Sequence, residues 1–177
     1  GNIDREIYSL DNSQPGLITL LCYNETGEEK YRIAADTIRN VYTSYPTTSD
    51  GGFWHNVSAV GQLWADGVYM ILPFLVHYGK AFGDTSLYTA AADQIIIYAS
   101  HIQDTTGLLF HAYDEDGSSG WADPVTHHSP YFWGRAMGWF GMAIVEILEI
   151  MPETHQKRPD LITVLADLIE VLCQAQD

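Results

Sequence analysis

The amino-acid sequence predicts an all-α fold in which helices pair into hairpins around a cleft. Apolar residues recur at helical spacing in six segments, short and long connections alternate between those segments, and all five tryptophans lie between Trp54 and Trp139. No internal boundary is expected, so residues 1–177 are predicted to form a single domain. The predicted helices cover residues 14–24, 28–45, 66–82, 84–103, 132–151 and 158–176.

Start and stop signals support the first three helices. Pro15 fits the first turn of the first helix, where its missing N–H leaves no bond unmade, and Gly27 follows the end of that helix. The second helix depends on apolar residues that recur every three or four positions. In the third helix, Pro73 is expected to produce a kink, and Gly83 ends the helix.

The remaining elements have similar signals. Asp84 or Thr85 caps the fourth helix, Pro152 ends the fifth, and the sixth begins at Arg158 or Pro159. Between the fourth and fifth helices, the pattern GLLFHAYDEDGSSG alternates briefly and then becomes rich in Asp, Gly and Ser. This pattern predicts a short strand followed by a loop.

The connections between the helices favour a closed ring of hairpins. Residues 46–65 and 104–131 form long connections rich in Trp and His, whereas the turns at Thr26, Gly83 and Glu153 are short. Long connections at every second position gather at one end of such a ring and build a cleft. A solenoid of helix pairs is the alternative, but its repeats would be more even and its loops would not collect tryptophans.

Composition excludes several classes of partner. The net charge of −15, from 23 acidic and 8 basic residues, repels nucleic acid. No apolar run is long enough to span a bilayer, and no signal peptide is visible, which leaves cytoplasm and periplasm both open. Cys22 and Cys173 do not make a disulfide framework and are expected to be buried thiols in helices.

Asp66 is the leading candidate for a general acid and base. It stands at the start of the third helix with Trp64, Trp54 and His55 close in sequence. Burial beside aromatic rings favours a protonated carboxyl, whereas helix N–H groups favour a charged one, and a carboxyl balanced between the two can give and take a proton. The alternative is a helix N-cap, and the same alternative applies to Asp11.

A metal site is not expected. His111 and Asp114 lie three residues apart, but no matching second pair completes a zinc site. Asp114, Asp116 and Asp123 lack the spacing and the closing Glu of a calcium-binding EF-hand.

Arg135, in the segment FWGRAMGW, is the candidate for binding an acidic ligand. A cation in the first turn of a helix is misplaced unless it faces an anion. The partner of its planar guanidinium is either the carboxylate of a ligand or a site aspartate, Asp66 or Asp11. The neighbouring Trp133 and Trp139 suit stacking on sugar rings.

Several motifs in this order resemble the unsaturated rhamnogalacturonyl hydrolases of glycoside hydrolase family 105 and the related unsaturated glucuronyl hydrolases of family 88. The resemblance runs from about residue 7 to residue 152. The motifs are LDN, GGFWHN, QLWADGVYM, HAYDED, WADP and SPYFWGRAMGW. The resemblance implies an (α/α)6 barrel, of which six helices would be the central half, so that flanking segments of the same protein or another chain would be needed to close it.

The resemblance also implies a reaction and a site. The reaction is removal of a 4,5-unsaturated uronic acid from the non-reducing end of oligosaccharides that lyases produce from pectin, without metal or organic cofactor. The implied catalytic residues are Asp66 and Asp11. The implied substrate-binding residues are His55, Trp64, His111, Trp133, Arg135 and Trp139.

Three points stay open at this stage. The preferred uronide is of either rhamnogalacturonan or glucuronan type. A non-catalytic carbohydrate-binding or structural helical-hairpin module is the alternative to an enzyme. A helical scaffold for other proteins is a third hypothesis.

Overall fold

A computed structural model describes residues 8–176, which form six α-helices and one two-stranded sheet. The all-α prediction is confirmed, and the helix ends differ from the predicted ones by at most a few residues. The start of the motif match, at residue 7, lies outside the described residues. The helices are α1 (Gly16–Thr26), α2 (Glu29–Val41), α3 (Gly67–Phe82), α4 (Ser86–Ile102), α5 (Gly134–Ile150) and α6 (Arg158–Gln174).

Helix α3 is the centre of the fold. Its sequence GVYMILPFLVHYGKAF is apolar on nearly all sides, and nine of its 16 residues are buried, Pro73 among them. It packs between α1 and α5, while α2 packs on α1, α4 on α3, and α6 on both α4 and α5. The odd-numbered helices therefore stand side by side, as an inner wall of hairpins requires.

The two long connections meet at one end of the helices, as predicted. Strand β1 (Gln62–Trp64) pairs antiparallel with β2 (Ala112–Asp114), and Trp64 lies opposite Ala112. The backbone N–H of Ser49 also donates to Glu115 Oε1 at 2.7 Å. The strand-like segment expected in the second connection is β2. Strand β1 was not predicted, because its three residues are too few to show a period and are ordered by pairing with β2.

Both ends of the row of helices expose large apolar side chains. On α1, Ile18 and Leu21 are more than half exposed, and an apolar groove of about 360 Å³ runs between α5 and α6. The groove includes Met142, Val145 and Ile169. Such contiguous apolar surface is typical of an interface. No helix among residues 8–176 combines the length and apolar character needed to cross a membrane.

Candidate active site

Asp66 lies where β1 leads into α3. It occupies the N-cap position of α3, but its side chain makes no capping hydrogen bond, and the residue is only 9% exposed. The Ala65 N–H donates to the His111 carbonyl at 3.0 Å, so the pairing of the two long connections carries Asp66 beside His111. The side chain therefore does not act as the helix cap that the sequence allowed as an alternative.

Arg135 holds one oxygen of this carboxylate. Its Nε donates to Asp66 Oδ1 at 2.9 Å, and its guanidinium lies 5.3 Å from the centre of the Trp133 ring. The ion pair offsets the unfavourable place of a cation in the first turn of α5. The Arg135 side chain is 60% exposed, and its two terminal nitrogens make no hydrogen bond with the described residues. The structure thus contains the ion pair between Arg135 and a site aspartate, and the two terminal nitrogens of the guanidinium are left to bind a ligand.

The second oxygen of Asp66 faces His111. Asp66 Oδ2 and His111 Nδ1 are 3.4 Å apart, and neither buried atom makes an aligned hydrogen bond. Burial lowers the pKa of His111 below its ordinary 6.5, although the Asp66 charge opposes this and the Arg135 charge adds to it. His111 is therefore a neutral ring near pH 7, beside a carboxylate oxygen without a partner.

His55 and Trp64 form the opposite side of the site. Their rings are parallel within 1° with centroids 4.6 Å apart, and Trp64 also lies 5.6 Å from His111. Burial lowers the pKa of His55, against the attraction of the Asp11 and Asp66 charges. His55 Nε2 faces Asp11 Oδ2 at 3.7 Å, whereas Nδ1 has no partner. The ring therefore presents Nε2 to the Asp11 carboxylate and leaves Nδ1 buried without a hydrogen bond.

Contacts connect seven of the eight residues singled out in the sequence. Asp11 stands at the edge, held by the Leu10 N–H, which donates to the His55 carbonyl at 3.0 Å. Trp139 is the eighth residue and lies farther from this group. Its ring centre is 4.6 Å from that of Tyr69, which is one turn of α3 beyond Asp66. The connected residues are Asp11, His55, Trp64, Asp66, His111, Trp133 and Arg135. Within residues 8–176, no three or more His, Cys, Asp or Glu side chains are grouped to hold a metal ion.

Gly67 is a residue of this site that sequence reasoning missed. A Cβ atom at this position would lie 2.6 Å from Leu10 Cδ1 and 3.2 Å from His55 Nδ1. Only glycine lets the start of α3 approach the chain segment that carries Asp11. The available signal was a poor helix former directly after Asp66, at the first position of a helix.

Replacing Gly67 by alanine is expected to destabilise the protein by about 1–3 kcal/mol, because buried Leu10 and His55 must move. Urea unfolding measures the change. Gly138→Ala is the matched control, since a Cβ there meets nothing within 4 Å and alanine favours the helix by about 1 kcal/mol. Equal stability of the two variants would contradict the close packing at Gly67.

The lowered pKa values of His55 and His111 predict a pH-dependent stability. Because the pKa of His55 is lowered in the folded state, the unfolded chain binds a proton more readily below pH 6.5. The neutral His55 ring therefore makes its full contribution to the free energy of unfolding above pH 6.5. That contribution decreases as the pH falls from 6.5 to the pKa of His55 in the folded state. The expected loss is up to about 1.4 kcal/mol per pH unit in that window.

Urea unfolding between pH 7.5 and 5.5 checks this prediction by comparison with His55→Gln. The variant removes the titration of this ring but keeps the other charges of the chain. The native protein should lose more stability than His55→Gln as the pH falls. Parallel curves would show that the ring is protonated equally in both states.

A buried carboxylate beside aromatic rings, at the loop end of a row of helix hairpins, suits a glycoside hydrolase. The chain belongs to Glycosyl Hydrolase Family 88, whose family model matches residues 1–177.

Several known proteins are similar to this chain. Protein Atu3128 of Agrobacterium fabrum is 37% identical over 109 residues, which cover 60% of this chain and 47% of that protein. The unsaturated rhamnogalacturonyl hydrolase YesR of Bacillus subtilis is 26% identical over 176 residues, 96% of this chain and 49% of YesR. The structure of a family 105 glycoside hydrolase from C. acetobutylicum superimposes with a TM-score of 0.93 at 39% identity, over 97% of this chain and 48% of that one.

These comparisons confirm the predicted family resemblance and the fold class. The chain has the fold of an (α/α)6 barrel and covers about half of such a barrel. It spans about half the length of each relative named above.

Proposed function

We propose that the protein to which this chain belongs removes a 4,5-unsaturated uronic acid from the non-reducing end of lyase-generated oligosaccharides, with rhamnogalacturonan fragments as the preferred substrate. Family membership supports glycoside hydrolysis, and the similarity to YesR supports the choice of uronide. One observation carries the proposal. Asp66 has one oxygen fixed by Arg135 at 2.9 Å, while the other is buried and without a partner.

That geometry suits a carboxyl that exchanges a proton with a bound sugar. An unsaturated uronide contains an enol ether at C4=C5, which accepts a proton at C4 from Asp66. The cation that forms at C5 is stabilised by the ring oxygen. Asp66, now a carboxylate, takes a proton from the water that attacks C5, so the group returns to its first state.

The remaining steps release the sugar. The hemiketal at C5 collapses to a ketone and opens the ring, which leaves a hemiacetal at C1. That hemiacetal then expels the rest of the oligosaccharide. In this scheme Asp11, whose carboxylate faces His55, binds ring hydroxyls of the sugar. The reaction needs water and no metal or organic cofactor.

Neutral histidines suit this role. With the pKa values of His55 and His111 lowered by burial, Arg135 is the cation that a uronate carboxylate meets in the group. The open nitrogens of the Arg135 fork bind that carboxylate, while the rings of Trp64 and Trp133 lie against the sugar.

The described helices form the central part of one barrel domain. The exposed apolar side chains of α1 and the groove between α5 and α6 pack against further helices, supplied by the same protein or another chain. This arrangement is supported by the finding that the chain covers about half the length of each relative named above.

Incubation of the complete protein with a lyase-treated pectin digest tests the function. Loss of the ultraviolet absorbance of the 4,5-double bond is the expected result. Binding of the digest without that loss would support a non-catalytic carbohydrate-binding module instead. Comparison with a digest of glucuronan type decides which uronide is preferred.

A further inference from the structure

Gln62 of β1 lies outside the residues that the proposed reaction uses, yet it contacts one of them. Its Oε1 accepts a hydrogen bond from Trp64 Nε1 at 2.9 Å, and its Nε2 donates to Ser119 Oγ at 2.7 Å. The indole N–H can only donate, so the carbonyl end of the amide must face Trp64. Each end of this side chain therefore has a defined partner.

The bond to Gln62 completes the restraint of the Trp64 ring. Parallel stacking on His55 at 4.6 Å fixes the plane of the indole but allows the ring to turn within that plane. A hydrogen bond at the ring edge opposes this turning. The two contacts act in different directions, and together they define one orientation of the indole relative to Asp66 and His111.

Gln62 is itself held by the loop after β2. The Ser119 N–H donates to Asp114 Oδ2 at 2.8 Å, and Asp114 is only 1% exposed, so the loop is anchored on the sheet. Asp114 also stands opposite Gln62 in the β1–β2 pair. The chain of contacts runs from the buried carboxylate through Ser119 and Gln62 to the indole.

We propose that Gln62 is a positioning residue that sets the orientation of the Trp64 indole for contact with the bound sugar. The expected effect on turnover rests on the proposed function. The restraint of the indole does not, because it can be measured without substrate. Because Trp64 contacts the sugar without exchanging protons, loss of the restraint is expected to raise KM and to leave kcat nearly unchanged.

Gln62→Met tests the proposal, since methionine keeps the length of the side chain and removes both hydrogen bonds. KM for the unsaturated uronide is expected to rise about five- to tenfold, the range that one neutral hydrogen bond supplies. Ser119→Ala is the matched control, because it removes the loop contact and leaves the bond to Trp64. Its expected effect on KM is about twofold.

A double-mutant cycle with Trp64→Phe separates positioning from general stability. Phenylalanine has no N–H, so Gln62→Met should have little effect on KM in the Trp64→Phe background. An equal effect in both backgrounds would overturn the proposal.

Hydrogen exchange of the Trp64 indole N–H, assigned by its loss in Trp64→Phe, gives an answer without activity. Exchange about five- to tenfold faster in Gln62→Met is expected. Unchanged exchange would overturn the positioning role. If the native protein showed the restraint but no turnover, the proposed function would fail and the restraint would stand.

Discussion

Replacement of Asp66 by asparagine is expected to lower kcat of the complete protein on a 4,5-unsaturated uronide by about 10²–10⁴-fold, with KM within a few-fold of the native value. The amide keeps the shape of the carboxyl, and its oxygen still accepts the Arg135 Nε–H bond seen at 2.9 Å. It cannot deliver a proton to C4 or take one from water. The loss of double-bond absorbance measures the rate.

Asp160→Asn is the matched control for this substitution. Asp160 is exposed in the first turn of α6, so the same chemical change there should leave kcat unaltered. Thermal unfolding of both variants shows whether the fold is retained. A kcat of Asp66→Asn within tenfold of the native value would contradict proton exchange by this carboxyl.

The helices could be predicted from the sequence because their signals are local. Gly83 ends α3 in a left-handed conformation with φ of 76°, as a glycine at that position suggests. Pro152 follows the end of α5 at Ile150. The long apolar stretch of α3 also indicated a helix buried on most sides, and it is the centre of the fold.

Partners across the chain could not be predicted in the same way. The sequence left two roles for Arg135 open, because its contact with Asp66 joins residues 69 positions apart. That contact depends on how α3 packs against α5, and no local pattern encodes it. The N-cap alternative for Asp66 was also reasonable, since the residue does occupy that position and only its side chain points elsewhere.

Short elements were missed for a related reason. Strand β1 has three residues, and Gln62 within it looks like any polar residue beside a loop. Its importance appears only when β2 brings Ser119 within 2.7 Å of its amide. Residues that position others depend on tertiary contacts, so they are the hardest to find from sequence alone.

The exchange of Arg135 for lysine is expected to raise KM for the free-acid uronide by about 10- to 100-fold. Charge-assisted hydrogen bonds are typically worth about 1.5–3 kcal/mol, and a lysine lacks the planar fork that binds two carboxylates at once. The Nε of Arg135 is already occupied by Asp66, so the terminal nitrogens remain for the substrate. Steady-state kinetics on the free acid and on its methyl ester measure the effect.

The ester separates the two functions of Arg135. An esterified substrate has no carboxylate to bind, so the KM of the native protein and of Arg135→Lys should differ much less on it. Arg32→Lys, the same exchange on the exposed side of α2, is the matched control and should change neither kcat nor KM.

The ion pair with Asp66 has its own signature. If holding Asp66 were the whole role of Arg135, kcat and its pH profile would change in Arg135→Lys equally on the acid and on the ester. An unchanged KM for the free acid would exclude binding of the uronate by Arg135. The net charge of −15 would then oppose the substrate without a cation of the described site to counter it. The carboxylate would then have to accept hydrogen bonds from neutral donors or meet a cation elsewhere in the protein.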